Sequence, residues 1–295
     1  MWTADGIQVL LSVYNAEKHL KMCLDSLENS LKGHKWILLI GNDHSTDGSL
    51  LEIIEYIPKS TAQKVHFFNF NKANTVGQAK NKLIKECHRH KDEYPAILMM
   101  DADDQMLPER PKMLETAKKY NSKYVVGGWQ RLLCPTADSS YGWKKEKIRT
   151  AKSAAKSLQF GPWATLFHYS LLPEDGRFFP EDEINNCGYE DLIAWNHLKQ
   201  FKNITPIAHT NNTSPVHLYY VHSESVSNSK NRKKIEYQRN AYWGLKEMIE
   251  KNIDVIKNPP SESELQKYIA KYVLRKKYEQ VKKNNQSPPH PLKSV

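Results

Sequence analysis

The residues best suited to chemistry are the acids of the stretch 96–110, AILMMDADDQMLPER. An unbroken apolar run, Ala96 to Met100, ends abruptly in Asp101, Ala102, Asp103 and Asp104. Such a run suits a strand buried on both faces of a parallel sheet. Side chains at i and i+2 of an extended segment share a face, so Asp101 and Asp103 can enter one crevice and share a hard cation or polar ligand groups. An isolated D-x-D is as readily a solvated acidic turn; its place after a buried strand, where open α/β sheets bind ligands, favours chemistry. A second acidic pair, Glu190 and Asp191, follows Gly188-Tyr189 and precedes an amphipathic helix. Acids in a first helical turn also complement the helix dipole, a role compatible with catalysis.

The elements that must carry these residues alternate. Residues 7–13 are apolar and β-rich, with Asn15 as a helix cap before helical spacing over 19–27. Strands are predicted at 36–40, 65–70, 96–100 and 124–129, and helices at 49–56, 75–87 and 111–119. Between them lies the loop 41–48, GNDHSTDG, in which Ser45, Thr46 and Asp47 serve as caps for the following helix. Alternation of this kind predicts an α/β fold: a Rossmann-like, mostly parallel sheet with helices on both faces and the ligand at the strand ends. From residue 161 the pattern becomes mixed and aromatic-rich. Beyond 230 the chain reads as basic helices, about 233–256 and 262–283, separated by Asn258-Pro259-Pro260, and the tail 284–295 is expected to be disordered.

The chain of 295 residues carries a formal net charge of +10, which suits an anionic partner such as a nucleotide, a nucleic acid or an acidic membrane surface as well as a merely soluble basic surface. Cys23, Cys87, Cys134 and Cys187 match no metal spacing and fit a reduced compartment. No segment reaches the apolar length of a membrane span, and the first residues lack the basic region and cleavage site of a signal peptide. These features predict a soluble cytoplasmic protein.

Several separated stretches, in order, resemble family 2 glycosyltransferases of the GT-A fold: LLSVYNAEKHLKMCLDSL, GNDHSTDGS, NTVGQAKNKLI, MMDADDQMLPER, GYEDLIAWNHL and YYVHSESVS. The strength lies in the ordered set, which covers about residues 7–227. The resemblance implies a glycosyltransferase domain over 1–229, with a nucleotide-binding half at about 1–130 and an acceptor half at about 131–229, followed by a basic helical appendage at 230–283. It places Ser12 and Tyr14 against the nucleotide, the Tyr14 ring stacking on the base. Asp43 is implied to accept the imide hydrogen of uracil, favouring UDP, although Asn42 stands at the first acid and His44 at the small residue of the usual motif. Lys80 stands where the family has Arg, near the diphosphate or ribose, and keeps the charge without the fork.

By the same resemblance Asp103 coordinates a divalent cation bridging the diphosphate, and Asp101 helps hold ribose and metal. Oxygen ligands suit Mn²⁺ or Mg²⁺, and His222, at a late family position, adds a nitrogen ligand that tilts the choice toward Mn²⁺. Tyr220 sits where the family often has Arg. Asp191 is implied to be the general base and Glu190 to orient the acceptor, in a displacement that inverts the anomeric centre. Trp163 and His168 are implied to line the acceptor pocket. The acceptor expected from the family is a cell-surface glycan or lipid-linked precursor at the inner membrane face, with the basic C-terminal helices touching anionic lipid. Hydroxylated bases of nucleic acid, as in viral DNA, are the alternative acceptor. A catalytically silent sugar- or nucleic-acid-binding protein on this fold would not need Asp101, Asp103, Asp191 and His222 together. A nucleotidyltransferase would want a glycine-rich phosphate loop that SVYNAEKHL is not.

Overall fold

The protein is described as a computed structural model over residues 2–133, 144–157, 164–181, 189–221 and 232–286. Strand β1 (Ile7–Val13) pairs in parallel with β2 (Trp36–Asn42) on one side and β4 (Ala96–Asp101) on the other, and β3 (Lys64–Asn69) extends the sheet beyond β2. The alternation of side chains along β1, β2 and β4 explains why neighbouring residues there are both apolar. Val9, Leu11, Leu38, Ile40, Leu98 and Met100 enter one core cluster, while Leu10, Ile37, Leu39, Ile97 and Met99 enter the other.

Helices cover both faces. The first, α1 (Glu17–Leu31), buries Leu20, Cys23, Leu24, Leu27 and Leu31 at helical spacing in the first cluster. The third, α3 (Val76–Cys87), buries Leu83, Ile84 and Cys87 in the second cluster on the opposite face. Between them, α2 (Ser49–Tyr56) is the expected helix at the expected residues.

Three local expectations change. Asn15 does not cap α1: it takes a left-handed φ of 47°, and Ala16 is the N-cap residue. The expected strand 124–129 is two strands in two sheets, β6 (Tyr124–Val126) and β7 (Gly128–Leu133). The break falls at Gly127, where a Cβ would collide with Val216, so only glycine lets the chain turn there. The last helix continues past residue 284, where the sequence expects a disordered tail.

The remaining elements are β5 (Gln105–Met106), α4 (Met113–Lys119), β8 (Lys144–Lys145), α5 (Ala151–Ser157), β9 (Thr165–His168), α6 (Glu190–Lys202), β10 (Ile207–Ala208), β11 (Pro215–Val221), α7 (Arg232–Glu250) and α8 (Glu262–Gln286). Among the described residues the main sheet has seven strands in the order β10-β6-β9-β4-β1-β2-β3. It is parallel except for β9, which runs antiparallel between β4 and β6. A four-stranded sheet, β5-β11-β7-β8, lies beside it. No described helix is long and apolar enough to cross a membrane.

Candidate active site

The carboxyl ends of β1, β2 and β4 form the floor of the site. Ser12 is in register with Gly41 on one side and Asp101 on the other, and the Val13 carbonyl accepts the Asp43 N–H at 2.7 Å. Beyond this edge Tyr14 is 57% exposed, its ring open to a stacking partner. Asn42, buried where the family resemblance expects an acid, donates to Asn69 Oδ1 at 2.8 Å and so ties β2 to β3. Asp43 is buried, and both its oxygens accept the Asn74 N–H, at 3.1 and 3.2 Å, with the Asn74 amide on Oδ1 as well. Its carboxylate is thereby aimed by the loop leading into α3. His44 takes a left-handed φ of 60° and is exposed at the rim.

Ser45, Thr46 and Asp47 do more than the sequence suggests. Asp47 Oδ1 accepts the Ser49 N–H at 3.0 Å, serving its own helix, but Oδ2 accepts the Glu17 N–H at 3.1 Å, capping α1 from across the crevice. Ser45 Oγ accepts the Asn15 N–H at 3.1 Å, Asn15 Oδ1 accepts the Thr46 N–H at 2.8 Å, and Ser49 Oγ accepts the Ala16 N–H at 2.8 Å. The orphan donors of one helix start are thus satisfied by the neighbouring loop, which locks the two loops at the strand ends into one unit.

Lys80 is the centre of the charged cluster. Helix α3 starts at a capping box between Thr75 and Gln78, and Asn81 anchors the segment before residue 182: its Oδ1 accepts the Phe178 and Phe179 N–H groups at 3.1 and 2.9 Å. The Phe179 ring therefore lies 5.5 Å from Lys80 Nζ, which pairs with Asp101 Oδ1 at 2.9 Å. Burial pulls the Lys80 ammonium down, but Asp101, Glu190 and Asp191 together outweigh it and hold the pKa above its ordinary value. Conversely, burial and then the Glu190 carboxylate lift Asp191 to about 7, with Lys80 opposing. Lys80, Asp101, Glu190 and Asp191 therefore lie within electrostatic reach of one another, although they come from three elements far apart in sequence.

Beneath the D-x-D turn lies a buried polar network that sequence reasoning missed. Asp104 and His217 are fully buried and paired at 2.8 Å, and Asp104 Oδ1 accepts the Tyr220 N–H at 2.9 Å. Arg110, also fully buried, donates to the Met99 carbonyl at 2.6 Å and the Thr165 carbonyl at 3.3 Å, with its other terminal nitrogen 3.5 Å from His217 Nδ1. Burial pushes Asp104 up, aided by Asp103 and Asp101, and pushes His217 down, aided by Arg110. This network binds the turn after β4 to β11 and β9. The signal was present in DADD and in Arg110, but nothing in the sequence pairs them with a histidine more than a hundred residues away.

Among the described residues no group of three or more His, Cys, Asp or Glu side chains is gathered to hold a metal. The donor set nonetheless fits a hard divalent cation completed by phosphate oxygens. Burial first and then the nearby carboxylates, Asp103 and Asp101 among them, raise Asp104 and Cys23, and Asp101 is part-exposed beside Lys80.

Other expected residues fall elsewhere. His168 is buried on β9 opposite Ala96, at the start of β4, five strand residues or about 16 Å from Asp101. Its ring meets Ser170 Oγ at 2.9 Å and the Trp2 ring at 4.7 Å, so it belongs to the far end of the sheet and not to an acceptor pocket at the strand ends. Trp163 and His222 lie outside the described residues. Tyr220 is buried, its hydroxyl donating to Gln105 Oε1 at 2.7 Å.

With this geometry in place, residues 8–168 match the model of glycosyl transferase family 2. No curated protein sequence matches the chain. Among solved structures, residues 1–349 of S. aureus TarS in complex with UDP-GlcNAc align with a TM-score of 0.59 at 15% identity, over 91% of this chain and 71% of that one. A mannosyltransferase, PcManGT from Pyrobaculum calidifontis in complex with GDP-Man and Mn²⁺, aligns with a TM-score of 0.52 at 13% identity, over 90% of this chain and 68% of that one. At such identities the structural likeness is one of fold.

Proposed function

The chain belongs to glycosyl transferase family 2 and is a glycosyltransferase on a GT-A fold, and from that premise we propose that it transfers a sugar from a UDP donor to an acceptor hydroxyl with inversion. The observation that carries this reading is the gathering of Lys80, Asp101, Glu190 and Asp191 at the carboxyl ends of the strands. The ring of Tyr14 stacks on the base and Asp43 accepts the uracil imide hydrogen. Both neighbouring complexes hold nucleotide sugars, UDP-GlcNAc in one and GDP-Man in the other, and the carboxylate of Asp43 supports uridine here.

Asp191, ionised, takes the proton of the acceptor hydroxyl as that oxygen forms its bond to the anomeric carbon. The bond from that carbon to the diphosphate oxygen breaks on the opposite face, and UDP leaves with the electron pair. One displacement inverts the centre and needs no covalent enzyme intermediate. Glu190 orients the acceptor, and Lys80 offers its ammonium to the charge that builds on the diphosphate. Asp101 and Asp103 would hold Mn²⁺ or Mg²⁺, which supplies further neutralisation of the leaving group. A surface glycan or lipid-linked precursor is the proposed acceptor, carried to a chain whose net charge is +10.

The test is release of nucleoside diphosphate from a panel of UDP-glucose, UDP-N-acetylglucosamine, UDP-galactose and GDP-mannose, with Mn²⁺ and with chelator. Turnover of a UDP sugar only in the presence of metal is expected. Metal-independent turnover, or preference for GDP-mannose, overturns the metal or the uridine assignment respectively. Salt-dependent binding to anionic vesicles in preference to duplex DNA is expected; the reverse order transfers the acceptor assignment to nucleic acid.

A further inference from the structure

Glu190 and Asp191 stand in the first turn of α6, and that helix is gripped from two sides. Its inner face, Ala194, Trp195 and Leu198, is buried in the core beneath the sheet, with Trp195 stacked 4.7 Å from Tyr124. Its outer face, Tyr189, Ile193, Asn196, His197 and Gln200, meets the C-terminal helices and the turn between them. The spacing of those five residues puts them on one stripe of the helix.

Every member of the stripe is engaged. Tyr189 stacks on Tyr242 of α7 at 5.2 Å and 26°. Ile193 has no exposed surface and shares a cluster with Ala241, Leu245 and Ile249 of α7 and Leu265 of α8. Asn196 Nδ2 donates to Tyr242 Oη at 3.4 Å, His197 Nε2 lies 3.0 Å from Asp254 Oδ1, and Gln200 Nε2 donates to Asn252 Oδ1 at 2.6 Å. By contrast, Tyr189, the N-cap residue, makes no side-chain cap hydrogen bond. Within the turn Asp191 Oδ1 accepts the Leu192 N–H at 2.9 Å, and the rotation of the helix is set by its tertiary packing.

We propose that the C-terminal helical hairpin is a positioning element for the catalytic base, with Tyr242 as its positioning residue: it sets the rotation of α6 and so the place of Asp191 relative to Lys80 and Asp101. This rests on the assignment of Asp191 as base. A rotation of about 20° about the helix axis moves a side-chain group about 6 Å from that axis by about 2 Å. Displacement of a catalytic group by about 1 Å can cost about a hundredfold in rate. The nucleotide crevice, built from the ends of β1, β2 and β4, does not share these contacts. Loss of the hairpin grip thus lowers turnover without loosening the donor, even when water is the acceptor and no docking of a large acceptor is involved.

The test uses full-length chain, the UDP sugar hydrolysed fastest in Mn²⁺, and water as acceptor, together with calorimetry of UDP with Mn²⁺ and circular dichroism. Tyr242→Leu is expected to lower kcat about tenfold or more, with donor KM and UDP affinity within about twofold of the unaltered chain. Tyr242→Phe, which keeps the ring on Tyr189, should restore kcat to within about twofold. A folded Tyr242→Leu chain whose kcat is unchanged overturns the inference, as does a fall in kcat matched by an equal loss of UDP affinity. Should Tyr242→Leu fail to fold, Asp254→Asn, which loosens the His197 contact, is expected to lower kcat about threefold at unchanged donor KM; an unchanged kcat overturns the inference. Asp191→Asn in the same assay separates the two claims. If Asp191→Asn keeps turnover, the base assignment fails; if it is inactive while Tyr242→Leu is fully active, only the positioning role fails.

Discussion

Replacing Asp191 by Asn should kill turnover and stabilise the fold, two opposite effects from one carboxylate. In the donor-free protein, burial and then Glu190 lift the Asp191 carboxyl from 3.8 to about 7. At 1.36 kcal/mol per tenfold, that lift sets about 4 kcal/mol against the ionised form in the folded state, reduced to about 2 kcal/mol by solvent screening at a part-exposed side chain. The folded carboxyl holds its proton more tightly than the unfolded one, so its stabilising contribution is whole below the unfolded pKa and is lost as pH rises to about 7. Asparagine cannot ionise. Asp191→Asn should therefore melt about 4 °C above the unaltered chain at pH 8, the difference closing as pH falls toward the unfolded value of about 4. Thermal melting of both chains across this range, without metal or nucleotide, reads the stability effect directly. In the transfer assay at saturating donor the same substitution should lower turnover by about a hundredfold or more. For the unaltered enzyme, kcat/KM in the acid range should rise about tenfold per pH unit and level off near pH 7. A variant that melts lower at pH 8, or by the same difference at every pH, refutes the electrostatic argument; turnover within about tenfold places the base elsewhere.

Other perturbations test the remaining parts of the site. Asp103→Ala should reduce UDP affinity in Mn²⁺ to the value measured with chelator while leaving the melting temperature intact; unchanged metal-dependent affinity by calorimetry removes Asp103 from the metal site. Glu190→Gln should raise the acceptor KM more than it lowers turnover, and the opposite pattern exchanges its role with that of Asp191. Asp104→Ala removes the acceptor of the Tyr220 N–H and the partner of His217 Nε2 beside a buried Arg110, which should cost about 2 to 4 kcal/mol in urea unfolding. An unchanged urea midpoint contradicts the reading of that network as a structural strut.

What the sequence determined by itself was whatever depends on local pattern. The apolar runs of β1, β2 and β4 could only be strands covered on both faces, because adjacent residues face opposite cores. The D-x-D turn, the loop at 41–48 and the acids that open α6 were legible because each sits at the boundary of a periodic segment. Distance across the fold decided the rest. Asn42 looked like a lost acid and proves to be a brace to Asn69, while Asp47 looked like a cap for its own helix and also caps α1. The family resemblance assigns His168 to the acceptor, but antiparallel insertion of β9 carries it to the opposite end of β4. Only packing brings Asp104 to His217, and only packing lays the stripe from Tyr189 to Gln200 against the C-terminal helices that the sequence presents as a separate basic appendage. Hydrophobic periodicity reports which face of an element is buried; it carries no information on which distant element buries it, and charge partners in a low-dielectric interior are selected by that three-dimensional encounter alone.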